Sequence, residues 1–518
     1  MIDARAEIRE RLADEVGTLG VGQPASVCLA YPSPYRVGMS SLGYQTLYRV
    51  LHERGLGCHR AFLPDAWEPT SLVWPPPKAT ILSYEAERPL GNYPIVALSV
   101  AYELEIAGVL RLLHGAGIPI LAHERGPRDP IVVAGGPLTD SNPAPLLPFV
   151  DVLIAGEAEE LLPAAIERIV DARDRDDALA QLSGLPHTVL GEVEPGRFAE
   201  LPTCAAVARE HLPAKSAITT PHTELADMFL VEPERGCSRQ CTFCVMRGPS
   251  TGGMRIVGID EVIASIPQHA RRVGLVGAAV TDHPALEELV ARIVEPGRGL
   301  GISSLRADRL TPTLLDRLAQ GGYRQITVAS DGISERMRRL LVRKIDEAAL
   351  TRAAELVRAD ARLTGMKIYE MIGVPTEDDR DVAELVAFVK SLAKRCRITL
   401  GISTFVAKRN TPLDAQPFIG VAAAEARLAA IRRGLAGAAR MRPQPPRWAH
   451  IEWLLAQAGP EGGHAARRAV ERGGSYRAWV QAFAEVAPAP RPVRYGDEDV
   501  LARRQGRAIR TRTLPVLS

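Results

Sequence analysis

Glu232-Pro-Glu-Arg-Gly-Cys237-Ser-Arg-Gln-Cys241-Thr-Phe243-Cys244-Val-Met-Arg247 follows an apolar stretch, 228–232, that reads as a β-strand. Its cysteines are spaced Cys-x-x-x-Cys-x-x-Cys. Three thiolates at this spacing can hold three corners of a cubane iron–sulfur cluster and leave the fourth iron without a protein ligand. That open iron can bind and reduce a small molecule. The chain has only 7 Cys in 518 residues, so chance would place three at these offsets in roughly one such chain in a thousand. A structural zinc site wants four protein ligands, usually as two separated pairs. No second pair lies nearby, and the closest fourth ligand is His222, ahead of the strand.

Working outward from the cysteines, strand and helix patterns alternate. Strands are expected at 228–232, 273–280, 301–305, 325–329, 366–372 and 399–405, with helices at 259–272, 284–294, 311–320, 346–359, 377–393 and 422–435. Six βα units predict a partial (β/α)6 TIM-like barrel over 223–440, with its site at the C-terminal strand ends. The cysteine loop follows the first strand, where a cofactor belongs. Upstream, strands at 26–30, 95–99, 118–121, 131–134 and 151–154 alternate with helices, which predicts a Rossmann-like parallel sheet over 1–185. Ligands of such sheets lie at the carboxyl ends of the strands. Residues 186–222 are poorly periodic and read as a linker with some short strands. Residues 441–518 read as a helical extension ending in an Arg-rich tail at 491–512, expected to be solvated and mobile. The fold class is therefore α/β throughout, with a helical C-terminus.

Composition narrows the function. Apolar content of 46% and charged content of 24% are ordinary globular usage, and a net charge of +2 argues against a coat for nucleic acid. The charged N-terminus lacks a signal-peptide core, and no run reaches the ~18 apolar residues of a spanning helix. A cytoplasmic location and no membrane partner are the expectation. Cys28, Cys58, Cys204 and Cys396 are scattered, which argues against a disulfide scaffold.

The cysteine motif, with Phe243 just before its last Cys, closely resembles the signature of the radical S-adenosylmethionine (SAM) superfamily. The resemblance implies a 4Fe–4S cluster on Cys237, Cys241 and Cys244, with SAM chelating the open iron and a 5′-deoxyadenosyl radical released by reductive cleavage. Gly274-Leu-Val-Gly277-Ala278 resembles the family's Gly-rich turn for the methionine amino group, but the acid that often ends it is missing. Ser303 and Arg306 end the third strand, Asp331 stands where the family often has Glu, and Gly373-Val-Pro-Thr-Glu377 resembles a turn near adenine. With Phe243, these residues are the SAM-binding expectation. Lys408 lies in Phe405-Val-Ala-Lys408-Arg-Asn-Thr-Pro412, which resembles another segment of the group, and faces either the site or solvent.

The N-terminal half resembles the cobalamin-binding domain that precedes many radical SAM barrels. Gly135-Gly136-Pro137 and Gly156-Glu157-Ala-Glu159 match its last two strand ends, and with Ser99 they are the cobalamin-binding expectation. Leu138 stands where His is usual, and the Asp-x-His-x-x-Gly motif is absent, so a protein His is not expected on cobalt. The resemblance implies an enzyme, and C-methylation of a small molecule or peptide is the leading reaction. An electron donor such as flavodoxin or ferredoxin is implied. The alternatives are a tRNA methylthiotransferase-like enzyme, a domain that has lost cobalamin, and a non-enzymatic iron–sulfur protein. The first needs three further N-terminal Cys; Cys28, Cys58 and Cys204 are badly spaced for it.

Overall fold

A computed structural model describes residues 4–76, 81–192, 196, 200–247 and 253–486; the Arg-rich tail lies outside them. The described chain forms two compact units. One runs to Asp227 and resumes at Leu454; the other is Met228–Trp453.

The first unit is built on a six-stranded sheet ordered β2-β1-β3-β4-β5-β6. Its strands are β1 (Val27–Pro34), β2 (Cys58–Leu63), β3 (Ile95–Ser99), β4 (Ile131–Gly135), β5 (Val152–Ile154) and β6 (Thr188–Leu190). All are parallel except β6, which runs antiparallel to β5. The order reverses at β1, so the crevice beyond β1 and β3 is the switch point.

Two strand expectations change. β2 was not anticipated, because His59 and Arg60 interrupt its apolar pattern. Both are buried. Arg60 donates to Glu85 and to both oxygens of Glu15, and His59 lies 2.5 Å from the Tyr93 hydroxyl. The strand expected at 118–121 does not form. The chain there leaves a helix through Gly117 at φ 71°, meets Pro119, which has no N–H to donate, and enters a 3-10 turn at Ala122–Glu124.

Residues 186–222, read above as a linker, add β6 and two isolated bridges, Gly156 to Ala205 and Val16 to Thr219. The C-terminal helices Glu461–Glu471 and Tyr476–Val486 also belong here. Buried Asn142 donates to the carbonyls of Leu455, Ala456 and Ala458. The added Cβ of an alanine at Gly463 would lie 2.3 Å from the Pro145 carbonyl, so glycine sets that close approach.

The second unit contains β7 (Met228–Val231), β10 (Arg272–Leu275), β11 (Gly299–Ile302), β12 (Gln325–Gly332), β13 (Gly365–Ile372), β14 (Ile398–Thr404) and β15 (Arg440–Pro443). β7, β10 and β11 form one parallel sheet, and β12 to β15 form another. A parallel bridge from Leu305 to Val328 and a bond from Leu305 N to the Thr327 carbonyl join them. The partial barrel thus has its six expected strands, and β15 adds a seventh. Met228 fills the space over Gly274 and Gly301, whose missing side chains admit its sulfur. A short antiparallel pair, β8 (Glu234–Arg235) with β9 (Arg255–Ile256), brackets the cysteine segment.

Candidate active site

The cysteine loop leaves β8 through Gly236 at φ 84°. The Thr242 amide donates to the Leu341 carbonyl, its hydroxyl to the Leu340 carbonyl, and the Leu413 amide donates to Thr242. On the other flank Arg239 forks onto Asp282, with Nε to Oδ2 at 2.7 Å. The loops after β10, β12 and β14 therefore fix this one, as a site at the strand ends requires.

Cys237 and Cys241 are buried, and Cys244 is half-buried. Burial, with nearby Cys241, Cys237 and Asp331 adding to it, pushes the Cys244 thiol up to about 11. Burial also raises Cys237, with Cys241, Asp282 and Glu234 adding to it. The three sulfurs thus share one neighbourhood, where bound iron would offset the penalty on thiolate. Among the described residues, no three His, Cys, Asp or Glu groups converge tightly enough to hold one metal ion. His222 bonds Asp14 at 2.7 Å within the first unit.

The Gly-rich turn after β10 lies beside two charged groups with unmet hydrogen-bonding capacity. Glu234 is fully buried, and its Oε1 accepts from Ala279 N at 2.7 Å. Gly277 makes room for it: a Cβ there would lie 2.1 Å from Glu234 Oε1. Glu234 Oε2 has no hydrogen-bond partner. Burial, with Glu232 and Asp282 adding and the Ala279 N–H opposing, pushes this carboxyl up to about 7. Arg306 grips the same turn, its amide donating to Thr281 Oγ1 at 3.2 Å. Its guanidinium is buried; Nη2 reaches Asp308 and the Lys344 carbonyl, while Nε and Nη1 have no hydrogen-bond partner. Buried polar groups without a hydrogen-bond partner are exceptions in folded proteins. Ala278 and Ser303 are exposed nearby, and Phe243 is half-buried in the cysteine loop.

Two expected contacts look different in place. Asp331, at φ 64°, is held by Arg343 at 2.6 Å, so its charge already has a partner. Burial raises its carboxyl, with Arg343 and then Arg306 opposing. The Gly373 amide is taken by Glu377, whose two oxygens lie 3.0 Å away, and Ile419 covers its Cβ position. That turn offers side-chain packing and carbonyls rather than the Gly373 N–H. Lys408 is paired with Glu452 at 2.6 Å. Sequence reasoning missed Glu234 and the Arg239–Asp282 fork. The double occurrence of Glu in Glu232-Pro-Glu234 was the available signal.

In the first unit, Ser99, Gly135, Gly136, Pro137, Gly156 and Glu157 do end adjacent strands. Ser99, Gly135 and Gly136 line a slot with Ala97, Ile154 and Ala158, whose volume of about 20 Å³ leaves room for one water. No histidine lines it. Gly156 is covered by residue 205 through a backbone bridge, and Glu157 accepts from Val207 N at 2.8 Å. At that volume the slot is too small for a corrinoid's nucleotide tail. Cys28 and Cys58 are buried in adjacent strands and Cys204 bonds Thr139, so no N-terminal cysteine triad of the methylthiotransferase kind forms.

Residues 231–389 match the family model described as the radical SAM superfamily, and residues 43–189 match that of radical SAM proteins, N-terminal. The chain belongs to the radical SAM superfamily. It is an enzyme, and its family implies a 4Fe–4S cluster and SAM. The uncharacterized protein MJ0966 of Methanocaldococcus jannaschii is 24% identical over 404 residues, 76% of this chain and 80% of the relative. The radical SAM methyltransferase TsrM of Kitasatospora setae, solved with tryptophan and a SAM analogue, is similar in fold at 15% identity, with a TM-score of 0.51 over 77% of this chain and 76% of that one. The cobalamin-dependent radical enzyme OxsB, solved with aqua-cobalamin, matches at 13% identity and a TM-score of 0.50, over 72% of this chain and 52% of that one. At these identities the two structures speak to fold alone. Among the described residues, no helix is long and apolar enough to cross a membrane.

Proposed function

We propose that this radical SAM enzyme cleaves SAM reductively on a 4Fe–4S cluster held by Cys237, Cys241 and Cys244, with cobalamin in the N-terminal unit, and methylates carbon in a small molecule or peptide. The observation that carries the first half is the gathering of the three thiols at the barrel's strand ends beside the unsatisfied Glu234 and Arg306. When bound, cluster and SAM supply one electron and a carbon-centred radical. The chain's residues do the rest. Thr242, Arg239 and Asp282 hold the cysteine loop still. Arg306 offers N–H groups to a carboxylate. The barrel wall keeps water from a reactive carbon.

The cobalamin half rests on the fold shared with TsrM and OxsB and on the slot at Ser99, Gly135 and Gly136, which must widen to admit a nucleotide tail. No step is assigned to it. An external donor of the flavodoxin or ferredoxin type supplies the electron.

Protein reconstituted anaerobically with iron and sulfide, then given SAM and dithionite, is expected to release 5′-deoxyadenosine. A fully loaded cluster without that product would overturn the first half. Protein from cells grown with hydroxocobalamin is expected to show a corrinoid absorption band. A folded protein lacking the band would overturn the second.

A further inference from the structure

The four-stranded sheet of the barrel has two unlike faces. Its register aligns Thr327, Lys367, Thr399 and Arg440 across β12 to β15, and two residues on it aligns Ala329, Tyr369, Gly401 and Arg442. Paired residues of a parallel sheet share a face, and so do residues two apart in a strand. The opposite face carries Val328, Ile368 and Leu400, all buried. The helices Glu347–Ala359 and Asp379–Ala393 pack against β13 and β14. Their buried side chains, Leu350 and Val357 in one and Leu385 and Val389 in the other, are apolar. They cover the apolar side, as helices do on the outside of a barrel. The side with Lys367, Tyr369, Arg440 and Arg442 therefore faces the lumen.

A barrel closed by packing fills its inward positions with branched apolar side chains. Here the two inward rows hold three cations and a phenol, and neither row holds an acid. Lys367 Nζ donates to the Tyr369 hydroxyl at 2.9 Å and lies 4.4 Å from the centre of its ring. The phenol accepts in that bond and keeps its own O–H to donate. Gly401 makes room for the pair: a Cβ there would lie 2.8 Å from the Tyr369 ring and 3.3 Å from Lys367 Cε. Tyr369 is nonetheless 41% exposed, and Arg440 and Arg442 are exposed. Other cations of this unit are matched, Lys408 by Glu452 and Arg427 by Glu377. Among the described residues, no carboxylate pairs with Lys367, Arg440 or Arg442. A cleft lined by charge of one sign concentrates ligands of the other.

We propose that this face is the anion subsite of the substrate pocket: the substrate carries a carboxylate or phosphate that Lys367, Tyr369 and Arg442 hold. This inference rests on the function proposed above and names the class of substrate. Tyr369 stands three residues before the end of β13, roughly 10 Å below the strand ends at 3.3 Å per residue. The chemistry lies at the strand ends, so the substrate's anion and its reacting carbon are about that far apart.

The test measures two probes, inorganic phosphate and succinate, on cluster-loaded protein by equilibrium dialysis at low salt. Anions held elsewhere on the chain contribute equally in every variant, so only differences are read. Lys367→Met and Arg442→Gln are each expected to weaken saturable binding of a probe about tenfold or more, with iron content unchanged. The probe that binds tighter assigns the group as phosphate or carboxylate. Gly401→Ala keeps every charge but displaces the phenol and the lysine, and it is expected to weaken the same probe. No saturable binding in wild type would overturn the proposal. So would affinities within twofold of wild type in Lys367→Met and Arg442→Gln, or an unaffected Gly401→Ala, which would leave only a diffuse field. If Lys367→Met does not take up iron, Arg442→Gln and Gly401→Ala decide the question. Failure of the SAM reading is separate, because the dialysis needs no SAM: such a protein would bind the probe and release no 5′-deoxyadenosine.

Discussion

Gly136 and Gly277 both follow strands of parallel sheets, one in each unit, and the space each leaves is filled differently. A Cβ on Gly136 would meet the Val100 carbonyl at 2.7 Å and the Val100 amide at 2.9 Å, and one on Gly156 would meet Ala205 N and O at 2.4 Å. Backbone fills those gaps. A Cβ on Gly277 would meet a carboxylate oxygen at 2.1 Å. The Glu234 side chain fills that one. Glycine in a strand-end motif therefore marks a close approach without saying what approaches. In the first unit backbone closes on backbone; in the barrel a buried carboxyl occupies the gap, with one oxygen lacking a hydrogen-bond partner.

The harshest way to break this contrast is to remove the cluster. Cys237→Ala should abolish 5′-deoxyadenosine release, by at least about a thousandfold, with iron content down and the circular dichroism spectrum kept. Residual activity near wild type would return the cysteines to a structural role. The next effect separates the two kinds of glycine. Gly136→Ala and Gly156→Ala place a side chain at φ 107° and 92° against immovable backbone. Each should lose about 3 kcal/mol or more in denaturant unfolding, with SAM affinity little changed. Gly277 has an ordinary φ, and the atom in its way ends a flexible side chain. Gly277→Ala should keep its stability within about 1 kcal/mol and weaken SAM binding. If the N-terminal variants lose SAM affinity and Gly277→Ala loses only stability, the contrast is reversed.

The barrel was legible because its strands are apolar runs at regular spacing, and the cysteine spacing is a local property. β2 was not, since burying Arg60 depends on Glu15 and Glu85, 45 and 25 residues away in sequence. The Ile118–Leu121 run misled for the opposite reason: its apolar residues are buried, but they pack as a connector after Gly117. At the site, the placing of Cys237, Cys241 and Cys244 in a loop after the first barrel strand was readable from spacing and position. The packing of Glu234 was not, because it depends on a gap 43 residues further on, at Gly277. Gly373 was readable as a turn, while the capture of its amide by Glu377 depended on a side-chain rotamer.

The smallest expected effect sharpens the contrast through pH. Each unit holds a carboxyl pushed up to about 7, mainly by burial: Glu105 in the first, Glu234 in the barrel. Glu105 is nonetheless bonded at both oxygens, to Ser33 Oγ at 3.0 Å and Ala101 N at 2.6 Å. In the unfolded chain a glutamate titrates near 4.3. Between about pH 4 and 7 the unfolded state has therefore released a proton that folded Glu105 still holds. Its contribution is full below the unfolded pKa and is lost as pH rises through the folded one, so stability should fall across that window. Glu105→Gln removes the titration. Its melting temperature should fall less between pH 4.5 and 7.5 than the wild type's, by a few degrees. Because both oxygens of Glu105 are already engaged, that difference should be the same with and without SAM. A SAM-dependent difference would mean that the first unit, too, presents a charge to the ligand.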